Sequence, residues 1–151
     1  MDDKSARSGF TLVEVLIVVS VVAFLAGMSL YLLSSQIFKG TDAKRKSDIN
    51  RIQIAIEEYE KDNDCYPTPQ VVTCSPDTGL RPYLDKIPCD PKTKNSYYYE
   101  NDGTACPKWY RIYTKLENKQ DAYITKIGCT NGCGPNALYN YFVSSPNAPA
   151  Q

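Results

Sequence analysis

Gly9-Phe10-Thr11-Leu12-Val13-Glu14, followed by the 24 uncharged residues of Val15–Phe38, decides how the rest of this chain is read. The run is rich in Val, Leu and Ile. As a helix rising about 1.5 Å per residue it spans roughly 36 Å, against roughly 30 Å of bilayer hydrocarbon. A removable secretory signal has an apolar stretch of about 7–15 residues before a small-residue cleavage site, so this run is too long for that plan. Glu14 stands at its mouth. A carboxylate there costs about 2.5–3.5 kcal/mol on insertion scales if carried to the bilayer centre, and less near the interface. A plain tether gains nothing from such a charge, so Glu14 asks for a second role.

With Lys4, Arg7 and Ser8 upstream, the same stretch resembles the class III signal of type IV pilins and pseudopilins. The resemblance implies a leader over residues 1–9, cut after Gly9 by a membrane-embedded prepilin peptidase that also methylates the new N-terminal Phe10. It implies that Glu14 is the assembly carboxylate, pairing with a subunit's N-terminal amine as a homo-oligomeric helical filament forms. The partners so implied are the peptidase/methyltransferase, an inner-membrane assembly platform, and lipid before assembly. The location is the bacterial inner membrane, single-pass with the C-terminal domain outside the cytoplasm, and afterwards a periplasmic or cell-surface filament. Elementary chemistry agrees with these roles. A freed Phe10 α-amine has a reference pKa of about 7.7–8.0 and is largely cationic at neutral pH. It would lie one helical turn from Glu14, or reach a neighbour's Glu14 in a low dielectric where two unpaired charges are the alternative. One position departs from the family: many members carry Pro at the twenty-second mature residue, where this chain has Tyr31, which puts the family's local helix melting in doubt.

Working outward, no Pro interrupts Phe10–Tyr66, and Ile49, Ile52, Ile56 and Tyr59 recur at helical spacing among charged neighbours. The apolar helix of residues 10–38 therefore continues as an amphipathic helix over 39–64, one element from Phe10 to Asp62 with a bend at Ser34-Ser35 or Gly40. Residues 65–151 form a globular, β-rich domain. Its strands are expected at Ser96–Asn101, Trp109–Glu117 and Ala137–Ser144, with weaker candidates at Val71–Cys74 and Tyr123–Ile127 and a helical turn over Leu80–Lys86. The fold class is α+β, a type IV pilin-like ladle with a long helix packed on a small antiparallel sheet. Tyr59–Asn63, Tyr66-Pro67-Thr68, Pro82-Tyr83-Leu84, Ile87–Pro91, Tyr97-Tyr98-Tyr99 and Tyr113–Glu117 resemble small pilins and the major pseudopilin of type II secretion, covering most of the chain to about Asn118.

Composition closes off other classes. The 151 residues allow one modest core, and 17 Lys plus Arg balance 17 Asp plus Glu, so no basic excess points to nucleic acid. There is no His, no nucleophile beside a base and no phosphate-cradling Gly loop, so no catalytic residue is assigned. The competing function is a membrane-tethered enzyme or binding module that uses residues 10–38 only as an anchor. Tyr97-Tyr98-Tyr99, Trp109-Tyr110 and Tyr139–Phe142 are read as strand residues rather than a ligand platform. All six Cys, at positions 65, 74, 89, 106, 129 and 133, follow the apolar run and are expected as disulfides of an exported domain. Zinc is the rival, but no Cys-x-x-Cys knuckle is present. Sequence-local loops suggest Cys65–Cys74, Cys89–Cys106 and Cys129–Cys133, one choice among 15 pairings. No cofactor is expected; calcium, which some major pseudopilins bind in a C-terminal loop, has its nearest candidates at Asn118 and Asp121. The tail Ser145–Ala150 is expected to fray.

Overall fold

The computed structural model describes residues 9–76 and 79–150, apart from the side chains of 30–35. The expected leader basic residues, Lys4 and Arg7, and the Tyr31 side chain therefore lie outside the described residues. The chain divides into two units, residues 1–37 and 38–151. One helix, α1 (Leu12–Asn63), belongs to both and stays helical through Ser34, Ser35 and Gly40. It begins two residues later than Phe10 because Thr11 caps it: the Thr11 hydroxyl accepts from the Glu14 amide at 3.2 Å, and its carbonyl accepts from the Val15 amide at 3.3 Å. It ends where Asp64 turns left-handed (φ 57°) and the Asn63 side chain donates to the Tyr59 carbonyl at 2.8 Å.

In the first unit the apolar side chains face outward. Leu12–Ser29 has a mean hydropathy of 2.4, and none of that window is buried within the chain. By length and composition this segment can cross a membrane.

In the second unit the apolar stripe of α1, Ile49, Ile52, Ala55 and Ile56, is buried in one core with Tyr99, Tyr110, Ile112 and Leu116. The sheet that supplies these partners is antiparallel in the order β1-β2-β3, with β1 (Tyr98–Asn101), β2 (Tyr110–Thr114) and β3 (Tyr141–Ser144). Tyr99 and Val143 flank Ile112 in register. β2 is shorter than the expected Trp109–Glu117 because its end turns toward α1: the Glu117 and Asn118 amides donate to Asp42 at 2.9 and 2.8 Å, and Asn140 binds Leu116 from both sides. Every residue of β2 is buried. Tyr113 is covered by Gly134, where an added Cβ would sit 2.8 Å from the ring, and Arg111 is covered by the chain's last residues, donating to the Pro149 carbonyl.

Four expectations are corrected. Tyr123–Ile127 is no strand but the helix α2 (Ala122–Lys126), since Asp121 caps it by accepting from the Tyr123 amide at 3.0 Å. Val71–Cys74 is no strand: turns closed by the Val71 and Val72 amides on the Thr68 and Pro69 carbonyls run into it, and only Cys74 makes a bridge. Two of the three disulfides differ: the bonds are Cys65–Cys106, Cys74–Cys89 and Cys129–Cys133. Long-range hydrogen bonds decide this pairing rather than loop length. The Tyr66 amide donates to Pro107 at 2.9 Å, which lays Cys65 beside Cys106, and the shorter 74–89 loop nests inside that larger one. The tail is docked rather than frayed. Ser145 is 2% exposed, exchanges bonds with both backbone groups of Tyr110, and is followed by Asn147 donating to the Lys108 carbonyl.

Candidate assembly site at the head of the apolar helix

Gly9 and Phe10 precede the helix in non-helical backbone and are exposed, Phe10 to 81%. Thr11 is the cap and Glu14 is the acidic residue of the first turn. The carboxylate therefore lies at the positive end of the helix dipole, where an anion is stabilised. Thr11-Leu12-Val13-Glu14 also has the Thr-x-x-Glu pattern of a capping box, a signal in the sequence beyond the family resemblance. Among the described residues Glu14 has no ion-pair partner. Leu12, Val15, Leu16 and Val19 expose 51–81% of their surface beside it. An exposed Gly9-Phe10 junction, an anion one turn later and an uncovered apolar helix thus lie within a few residues. At about 25 cal/mol per Å² of apolar surface, such a helix is driven strongly into lipid or against other helices.

The second unit is built around a charge that sequence reasoning missed. Arg45, 2% exposed, donates to Asp90 at 2.7 Å, to Asp42 at 2.8 Å and to Glu117 at 3.1 Å, joining α1, the 88–96 turn and the end of β2. Burial works against its charge, but the hydrogen bonds to Asp90 and Asp42 prevail and hold the guanidinium above its ordinary pKa. Burial likewise opposes the charge of Asp90, and Arg45 with the Thr93 and Lys92 amides overcomes it, leaving that carboxyl below its ordinary value. Glu117 is lowered by its bond to Lys92 and then by Arg45. The one hint in the sequence was the i,i+3 spacing of Asp42 and Arg45, which alone reads as a solvent-facing pair.

The calcium candidates are already engaged. The Asp121 carboxylate accepts from Lys46 Nζ at 2.6 Å and caps α2, while the Asn118 side chain accepts from the Gln120 amide at 3.2 Å. Lys46 Nζ also lies 4.7 Å from the centre of the Tyr123 ring, a cation–π contact. Among the described residues no group of three His, Cys, Asp or Glu is placed to hold a metal.

A family model for the prokaryotic N-terminal methylation motif matches residues 4–30. The chain is 32% identical over 115 residues to type II secretion system core protein G of Pseudomonas aeruginosa, covering 69% of this chain and 80% of that one. It is 30% identical over 99 residues to the protein of the same name from Aeromonas hydrophila, covering 58% and 69%. With that of Vibrio cholerae it shares 33% identity over 95 residues, covering 63% and 60%. No solved structure matches the chain at a significant level.

Proposed function

The chain belongs to the family of type II secretion system core protein G, structural subunits of a type IV-like filament, and from that premise we propose how it enters such a filament. It waits in the inner membrane through the apolar half of α1, with the second unit on the far side from the cytoplasm. A prepilin peptidase cuts between Gly9 and Phe10 and methylates the new amine. On extraction into the fibre, the Glu14 carboxylate of one subunit pairs with the Phe10 amine of a neighbour and sets the axial register, while the exposed apolar side chains exchange lipid for other helices. The work is assembly rather than catalysis, in a filament of the secretion type, as in the relatives. No cofactor takes part: calcium at Asn118 and Asp121 would have to displace the Lys46 ammonium.

The observation that carries this reading is an accessible Glu14 with no ion-pair partner, placed one turn after the Gly9-Phe10 junction on an uncovered apolar helix. Replacing it tests the reading. Glu14→Ala should insert in the membrane at the wild-type level and yield few or no filaments by electron microscopy, because the apolar run is untouched and only the charge is lost. Filaments at the wild-type yield would reduce Phe10–Phe38 to a tether.

A further inference from the structure

The second unit carries opposite charge at its two ends. Residues 39–46 of α1 hold four bases and one acid, whereas residues 57–64, its last turns and the Asp64 just beyond them, hold five acids and one base. At about 1.5 Å per residue the centres of these segments are roughly 27 Å apart. The rest of the unit extends the basic end. Asp42 receives the Glu117 and Asn118 amides, which places Lys115 and Lys119 there, and Arg45 grips Asp90, which caps the turn bearing Lys92 and Lys94. Among the described residues Lys39, Lys44, Lys94, Lys115 and Lys119 are exposed and have no ion-pair partner. Lys115 and Lys119 line a hollow of about 680 Å³ together with Phe38, Tyr98 and Tyr139.

The acidic end is equally unspent. Among the described residues Glu58, Glu60 and Asp64 have no ion-pair partner, and the Asp62 carboxylate accepts from the Tyr83 hydroxyl. Lys61 on the helix and Lys108, whose Nζ donates to the Asp64 carbonyl, are bases at this end. These acids are badly placed for the helix itself. They crowd the negative end of its dipole, and Glu58 and Asp62 repel at i,i+4. A helix selected for its own stability would carry bases there.

We infer that the lysine end of one subunit's second unit, with Lys115 and Lys119 at its hollow, seats on the 58–64 carboxylate end of a second copy stacked along the same axis. The inference rests on the filament reading above, which aligns all copies in one direction. Parallel stacking brings opposite ends together and antiparallel stacking brings like charges together, so the charge axis enforces the polarity that the Glu14 pairing requires. Such a head-to-tail contact is open and repeats without closing, as a fibre needs.

The full chain is tested in cells or membranes that make wild-type filaments. Lys115→Glu with Lys119→Glu, and separately Glu58→Lys with Asp64→Lys, should each lower filament yield by about fivefold or more, because each sets like charges face to face. All four positions are exposed and lack ion-pair partners, and the thermal transition of each solubilised variant checks that the fold survives. Combining the four substitutions restores opposite charges and should return the yield to within about twofold of wild type. Wild-type yield from either pair alone, or no recovery in the combination, overturns the inference while leaving the filament reading intact. Absence of filaments from the wild-type chain overturns that reading and this inference with it.

Discussion

A carboxylate one turn past Phe10 serves two purposes that a single substitution separates. The Thr11 cap binds the Glu14 backbone amide, so it survives any substitution of the side chain, while the Thr-x-x-Glu sequence pattern would let the carboxylate reach back to the cap as Gln also can, without a charge. If charge pairing drives assembly, Glu14→Gln should insert normally and lose filaments by more than about tenfold, as expected when an interaction of more than about 1.4 kcal/mol is removed. A wild-type yield from Gln beside a low one from Ala would assign Glu14 to capping alone. Arg45 is the corresponding residue of the second unit. Removing it leaves Asp42, Asp90 and Glu117 facing one another, so Arg45→Ala should destabilise the unit by about 3–5 kcal/mol in thermal or denaturant unfolding. Asp90, Glu117 and Asp121 all have carboxyl pKa values lowered by folding. Stability from such groups is fully present above the unfolded carboxyl pKa and is lost as pH falls through the folded one, so Tm should hold from neutrality to about pH 5 and drop below about pH 4. An acid-insensitive Tm would contradict that role. Glu14 was legible in the sequence because an acid at the mouth of an apolar run is conspicuous. Arg45 was not, since its partners come from positions 45 and 72 residues away.

The elements divide along the same line between local and distant causes. α1 was readable almost end to end from uninterrupted apolar content and then 3.6-residue spacing, and only its first turn moved, because Thr11 caps it. β2 was placed correctly at its centre, but its end was not readable, since Asp42 on α1 draws away the Glu117 and Asn118 amides. Tyr123–Ile127 has strand composition and became α2 through the Asp121 cap and its bond to Lys46. The disulfides depended on the same distant contacts, and nearness in sequence misassigned two of them. Their loops now rank the bonds. For separations of 41, 15 and 4 residues, chain-entropy arithmetic assigns about 4, 3 and 2 kcal/mol to Cys65–Cys106, Cys74–Cys89 and Cys129–Cys133. Double Cys→Ser variants should lose Tm in that order, and peptide mapping of the unreduced protein should recover these three pairs. Recovery of Cys65–Cys74 would overturn the nested arrangement.

At the scale of the molecule, two units of opposite surface character share one helix. The first exposes Val, Leu and Phe with no core to cover them, which suits lipid and then a fibre interior. The second has a buried core, six paired cysteines and a docked tail, which suits an oxidising aqueous compartment. All of this turns on the chain having been cut to expose the Phe10 amine, because in an uncut chain Phe10 carries a peptide nitrogen and no amine lies one turn from Glu14. Intact mass spectrometry of the subunit recovered from filaments reads that event directly. The expected species lacks Met1–Gly9, begins at Phe10 carrying one added methyl group, and contains three intact disulfides. A filament subunit that retains Met1, or one cut beyond Ala26, would contradict assembly through Phe10 and Glu14.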